Sequence, residues 1–279
     1  MILNRRTLIT ALATAPVLST ASGVVGSSPA RAAGDTYASN TALYADIALV
    51  EGVDYRRRYR RHPIDDTGSS GRSALVRTAV IAPHGGGIEG GTSELCLAIA
   101  GYHPAEPAST TTAAGPLHDY WMFEGLRATG NSALHVTSTH CDDTIARSLC
   151  AGSLNVVSLH GCTPARAGLP AGAAVVLVGG LNATLRQHLM DEFTAAGIRA
   201  VAASGDEEIA GLSPENICNR TLLGMGAQLE ITTELRAAMF ADGRNNLVGR
   251  AANTLPLFWS FVHAVRTAVE RVEAGQRVL

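Results

Sequence analysis

Four residues in this chain are of the types needed to hold a metal ion and to move a proton beside it. His84 and Glu89 stand at either end of a glycine-rich turn, in the run A-P-H-G-G-G-I-E-G-G-T-S-E. Glycines at 85, 86 and 87 let the backbone turn sharply and approach a ligand that side chains would block, so an imidazole and a carboxylate can converge on one point. His160 closes the apolar run Val156-Val157-Ser158-Leu159, and Glu230 lies within Gln228-Leu229-Glu230-Ile231. Two imidazoles and one carboxylate make a donor set for zinc that leaves a fourth position open to water, whose pKa then falls to about 7. A separate carboxylate has to accept that proton and hand it to a leaving amine, and Glu230 is the residue expected to do so. Each residue also has an ordinary structural explanation. His84 and Glu89 can be a surface pair on a turn, His160 a satisfied core histidine, and Glu230 an outward-facing strand residue sharing its parity with Gln228 and Thr232.

A substrate that bears a carboxylate also needs a cation. Arg220, in Asn216-Ile217-Cys218-Asn219-Arg220, is the leading candidate, because a guanidinium grips a carboxylate through two parallel hydrogen bonds. The alternative is a surface arginine paired with Glu215 or Asp206. Asn219 beside it is taken as a further substrate contact. His140 follows Val136-Thr137-Ser138-Thr139 and is placed to hydrogen-bond substrate or to orient a ligand.

In an open α/β sheet, ligands collect just beyond the carboxyl ends of the strands, and that is where the pattern puts these residues. It predicts strands over 75–82, 120–123, 134–139, 156–159, 173–178, 198–202 and 228–231. Helices are predicted over 92–100, from Asp142-Asp143 through Leu149, over 182–196, from Thr233, and over 255–274. Thr92 or Ser93, the two aspartates and Thr254 read as caps. Leu257, Phe261, Ala264, Val265 and Val269 share one face of the last helix. Strands alternating with helices indicate an α/β fold, a single domain over residues 33–279 with a mixed, largely parallel sheet flanked by helices. Residues 33–45 read as a loosely docked start, and 65–71 and 103–117 as loops.

Residues 1–32 have the parts of an export signal: Arg5-Arg6, an apolar middle, and Ala30-Arg31-Ala32 as a small-residue cleavage site. Paired arginines followed by Thr7-Leu8-Ile9 point to the twin-arginine route and a secreted product, with no membrane association once the signal is removed. Cleavage after Ala32 leaves 247 of the 279 residues, enough for one sizeable domain. The formal charge of the whole chain is −2, and all of its basic residues are arginine. Only Arg56-Arg57-Arg58-Tyr59-Arg60-Arg61 resembles a basic stripe, and it suits a solvated strand edge or helix face better than a phosphate track, so nucleic acid is not an expected partner. Five cysteines in an exported chain allow at most two disulfides, Cys141 with Cys150 and Cys162 with Cys218 being one possible pairing. Cys96, between two leucines, is the natural buried free thiol.

The runs A-P-H-G-G-G-I-E-G-G-T-S-E, H-V-T-S-T-H, S-L-H-G-C, N-I-C-N-R and Q-L-E-I, in that order from about residue 76 to 235, resemble the phage-type poly-γ-glutamate hydrolases, zinc amidohydrolases similar in fold to the metallocarboxypeptidases. The resemblance implies one zinc per chain on His84, Glu89 and His160, Glu230 as catalytic glutamate, and Arg220 as a contact for substrate carboxylate. The usual carboxypeptidase spacing is His-x-x-Glu. Here four residues separate His84 from Glu89, which favours the poly-γ-glutamate branch. The implied activity is hydrolysis of γ-glutamyl amide bonds in poly-γ-glutamate or related peptides. Two other readings stay open: a zinc exopeptidase or N-acyl-amino-acid deacylase of the same superfamily, and an exported non-catalytic metal-binding protein.

Overall fold

Seven strands form a single sheet in a computed structural model that describes residues 34–62, 78–107, 116–205, 207–241 and 247–276. They are β1 (Tyr55–Arg60), β2 (Thr78–Gly86), β3 (Asp119–Gly125), β4 (Asn155–Cys162), β5 (Val176–Gly179), β6 (Ala200–Ala202) and β7 (Ala227–Thr232). Their order is β1-β3-β2-β4-β7-β5-β6. β3, β2, β4 and β7 run parallel, as do β5 and β6, while β1 on β3 and β5 on β7 are antiparallel. The expected single-domain α/β fold with a mixed, largely parallel sheet is what the structure shows.

Eight helices accompany the sheet among the described residues: α1 (Asn40–Tyr44), α2 (Thr92–Ala100), α3 (Thr144–Ala151), α4 (Ala183–Ala195), α5 (Glu207–Ala210), α6 (Thr233–Ala237), α7 (Leu247–Ala252) and α8 (Pro256–Gly275). Successive strand residues point to opposite faces, and the two faces have separate cores. Val80, Ala82, Val157, Leu159, Leu229 and Ile231 pack under α2, α4 and α8. Ala79, Ile81, Trp121, Phe123 and Val156 pack on the other side with Leu43 of α1 and Ala146 and Leu149 of α3. Phe193 of α4 and Phe261 of α8 meet at 4.7 Å between ring centroids, and burying each ring stabilises the fold by about 1.5–3 kcal/mol. α2 is buried at all nine positions, so it is a core helix with no solvent face.

Several local expectations are corrected. Residues 134–139 are not a strand; two 3₁₀ turns, Asn131–Leu134 and Ser138–His140, are joined by an extended link. Among the described residues no strand pairs with that link. Its Thr137 N–H donates to Asp35 Oδ2 at 2.8 Å, and its Val136 carbonyl accepts from His84 Nε2, also at 2.8 Å. The start of the domain is docked: Ser39 caps α1, while Leu43 and Asp35 are buried. α2 begins at Gly91 in the left-handed region, with φ 104°, in place of a Thr92 or Ser93 cap. Asp143 caps α3 as expected, through the N–H groups of Ile145 and Ala146. All five cysteines are buried free thiols. Cys162 and Cys218 belong to different apolar clusters, and neither proposed disulfide is present. The arginine run is the edge strand β1, where Arg56 pairs with Glu124, Arg57 with Glu51, and Arg60 stacks on the Tyr102 ring. Residues 1–32 and the loop at 65–71 lie outside the described residues.

Candidate metal centre

β2 and β4 are parallel neighbours, so His84 and His160 emerge at the same edge of the sheet. β7, on the other side of β4, sets Glu230 directly opposite His160 in the ladder. Ser158 and His160 of β4 share a face with Gln228 and Glu230 of β7, so the polar parity of both strands collects at one place. All four are buried.

The glycine run works differently from the expectation that it opens the backbone to a ligand. A Cβ on Gly86, where φ is 67°, would come within 2.4 Å of the Gly125 carbonyl, and one on Gly87 within 2.3 Å of the Asn131 amide. The glycines let the end of β2 close against the end of β3. The turn then folds back through a 2.8 Å bond from the Glu89 N–H to the His84 carbonyl. That return brings Glu89 Oε1 to 3.1 Å from His84 Nδ1.

Only a ring N–H can bond the Val136 carbonyl that lies 2.8 Å from His84 Nε2, which assigns the tautomer and aims Nδ1 inward. His160 is held from behind by Ser158 Oγ and Ser138 Oγ, 2.9 and 3.2 Å from Nε2. Its Nδ1 faces His84 Nδ1 at 3.1 Å. Glu89 Oε2 lies 3.8 Å from His160 Nδ1 and accepts the Gly161 N–H at 2.8 Å. One donor atom from each of His84, Glu89 and His160 thus lies within 4.8 Å of the others.

Burial disfavours a charged His84, but the Glu89 carboxylate outweighs it and raises the imidazole above its ordinary range. Burial, reinforced by His84, pushes His160 down to about 3. Burial also opposes ionisation of Glu89, yet the two histidines bring it down to about 2. The two inward nitrogens and the carboxylate face one space, which a cation, whether a proton or a metal ion, can occupy. Glu230 receives a hydrogen bond from Gln228 Nε2 at 3.0 Å. Burial, then the negative charge of Glu89, raise it to about 8.

These groups lie in a cavity of about 390 Å³ whose walls include Asp35, His135, Ser138, Arg166, Glu208, Asn216 and Arg236. The structure thus brings together His84, Glu89, His160 and Glu230. It does not bring Arg220, Asn219 or His140 to the cavity lining. Arg220 pairs with Glu215 through its side chain and also bonds the Glu215 carbonyl. Asn219 bonds four backbone groups, those of Leu181, Gly211, Ser213 and Gly226, and knots the loops together. His140 sits in the 3₁₀ turn, with Ser138, two residues earlier, reaching His160.

Sequence reasoning missed His135, Arg166 and Arg236. His135 lies in the H-V-T-S-T-H run, its ring 3.9 Å from that of His84 and its Nδ1 2.7 Å from Asp35 Oδ1. The order of that run gave the available signal, since it begins and ends in histidine. Arg236 is six residues past Glu230, one turn into the helix that follows β7, a position from which a long side chain can return to the strand ends.

Fold and site together define an α/β protein with two buried histidines and a part-buried glutamate able to hold a metal ion, beside a second, buried glutamate. Residues 60–264 match the poly-gamma-glutamate hydrolase family, and the chain belongs to that family. It is 35% identical over 186 residues to the SPbeta prophage-derived protein YoqZ of Bacillus subtilis, and 33% identical over 186 residues to YndL of the same organism. Each match covers 67% of this chain, but only 59% and 64% of the length of those two relatives. Among solved structures, a bacteriophage poly-gamma-glutamate hydrolase superposes with a TM-score of 0.70 at 29% identity, over 87% of this chain and 100% of that one. A zinc-free form of YndL superposes with a TM-score of 0.68 at 27% identity, over 85% and 98% of the two chains.

Proposed function

We propose that this chain is a secreted, zinc-dependent hydrolase of γ-glutamyl amide bonds, acting on poly-γ-glutamate or related γ-glutamyl peptides. The observation that carries the reading is the inward convergence of His84 Nδ1, His160 Nδ1 and Glu89 with Glu230 in register beside them. The donors suit zinc: nitrogens bonded at 2.0–2.1 Å in a tetrahedron stand about 3.3 Å apart, against 3.1 Å between the two Nδ1 atoms here. The zinc-free YndL structure supports the same choice of metal, as a property of a relative. Secretion is proposed on the sequence pattern of residues 1–32 alone, paired arginines before an apolar stretch and a small-residue cleavage site.

When bound, zinc supplies Lewis acidity and a water that ionises near pH 7. The protein's own groups do the rest. Val136, Ser158 and Ser138 hold the two imidazoles with their outer nitrogens engaged, so the ligand atoms need no reorganisation. Glu230 takes the proton of the attacking water at its carboxylate and returns it to the departing amide nitrogen. Part of what keeps Glu230 protonated up to about 8 is the charge of Glu89. Once that charge is committed to a cation, Glu230 falls toward the range a proton shuttle needs at neutral pH.

The test is incubation of purified protein with γ-linked polyglutamate and with α-linked glutamate oligomers, with and without a chelator. The γ-polymer is expected to shorten, chelation to stop it, and about one zinc per chain to restore it. Cleavage of α-linked oligomers alone would favour an exopeptidase, and zinc binding without turnover a non-catalytic protein.

A further inference from the structure

Arg236 lies against the backbone of Gly161 at the end of β4, so close that a Cβ at 161 would come within 2.5 Å of its Cζ. Its Nε donates to the Ile231 carbonyl at 3.0 Å and its Nη1 to the Gly90 carbonyl at 2.8 Å. Both acceptors are neutral. Among the described residues no carboxylate forms an ion pair with Arg236, whereas Arg56, Arg57, Arg127, Arg220 and Arg250 each have one. Arg236 lines the cavity beside Glu89, His160 and Glu230. The Glu89 and Glu230 carboxylates lie near enough to act on its charge without bonding to it, so a part-buried guanidinium whose own hydrogen bonds go only to neutral groups can still pair with an anion that the ligand brings.

We propose that Arg236 binds the α-carboxylate of the residue on the leaving side of the scissile bond and so selects γ-linked glutamate. This rests on the reading of the chain as a γ-glutamyl hydrolase. In a γ-linked polymer the scissile nitrogen is attached to an α-carbon that keeps its carboxylate, an anion two bonds from the nitrogen. In an α-linked peptide that carboxyl is consumed by the next amide, except in the last residue. Every bond of the γ-polymer therefore presents on its leaving side the group that an α-linked peptide presents only at its end. A cation fixed beside the reacting centre can then serve cleavage at interior positions. The other two arginines considered are less suited: Arg220 faces Glu215, and Arg166, at the cavity rim, faces Glu208.

The experiment compares kcat/KM for an N-acyl-γ-glutamyl-glutamate with its analogue carrying a carboxamide on the leaving residue, using the zinc-loaded full domain. The wild-type protein is expected to prefer the carboxylate by at least about a hundredfold, since a site built to pair with a charged group rejects the analogue that lacks it. Arg236→Gln should bring the preference within about threefold by slowing the carboxylate substrate alone, and Arg236→Lys should recover part of it as a point charge without the fork. Taking the ratio within one preparation makes it independent of the folded fraction. A wild-type preference below about tenfold, a ratio unchanged in Arg236→Gln, or equal loss of both substrates in that variant overturns the proposal. Failure of the wild-type protein to cleave either compound sinks the hydrolase reading itself, whereas equal cleavage of both removes only the role of Arg236.

Discussion

Each end of the sheet carries a grouping of histidine and carboxylate, and the two are completed differently. At the end where β3 begins, His62 Nδ1 lies 2.7 Å from Asp119 Oδ1 and its Nε2 lies 2.5 Å from the Tyr102 hydroxyl. Both ring nitrogens have a protein partner, and the set is closed. At the end where β2 and β4 finish, His84 and His160 each engage the protein through Nε2 and turn Nδ1 inward toward the other and toward Glu89. Both ends set imidazole beside a carboxylate, one His with Asp and Tyr at the first and two His with Glu at the second. What differs is where the ring nitrogens aim: at the first end onto separate protein groups, at the second toward one another and Glu89, leaving one shared space that a metal ion can occupy.

The largest effect expected from this contrast is in His160→Ala. Zinc content should fall from about one per chain to below about a tenth, and turnover with it, because two protein donors do not hold a zinc that three do. Metal analysis after gel filtration checks it; full retention of zinc would show that the open end is no more a ligand set than the closed one. Glu230→Gln comes next. Turnover should drop by about 10²–10⁴-fold while zinc stays bound, as measured by kinetics and metal analysis on the same sample.

The same variant has a pH signature in the metal-free protein. Glu230 is raised to about 8 in the fold, so the unfolded chain loses this proton first. Its contribution to stability is complete below the ordinary glutamate range and is lost as the pH climbs from there to about 8. Denaturation midpoints of Glu230→Gln should therefore fall less across that window than those of the wild-type protein, and parallel curves would refute the assignment. The smallest functional effect is expected from His62→Ala at the closed end. Activity and zinc content should stay within about twofold, while chemical denaturation shows a loss of about 1–3 kcal/mol from the two missing ring hydrogen bonds, the backbone N–H at 62 still reaching Asp119. A change in zinc content there would erase the distinction between the two ends.

Much of the centre was legible in the sequence because it lies on strand ends. His84 and His160 each follow an apolar run and Glu230 interrupts one, and the parallel pairing of β2, β4 and β7 turns them into neighbours. Residues held by irregular backbone were not legible. Apolar residues at 134 and 136 suggested a strand, which hid that the link between two 3₁₀ turns carries His135 to the cavity in place of His140. Asp35 looked like part of a loose start, and only the folded chain shows it bonded to His135 and Thr137, about a hundred residues away. Arg220 fitted a carboxylate clamp by type alone. Which arginine is left without a direct ion pair depends on carbonyls and acids from distant segments, as Gly90 and Ile231 show for Arg236.

His160 and Glu230 sit opposite one another on adjacent strands, and alternation makes that placement intolerant of error. A slip of β7 along β4 by a single residue would carry Glu230 to the far side of the sheet and leave His160 beside a leucine or an isoleucine. Under the proposed hydrolase function, turnover would serve as a gauge of strand alignment, and a chain that has paired wrongly would fail to turn over even when its helix content looks normal.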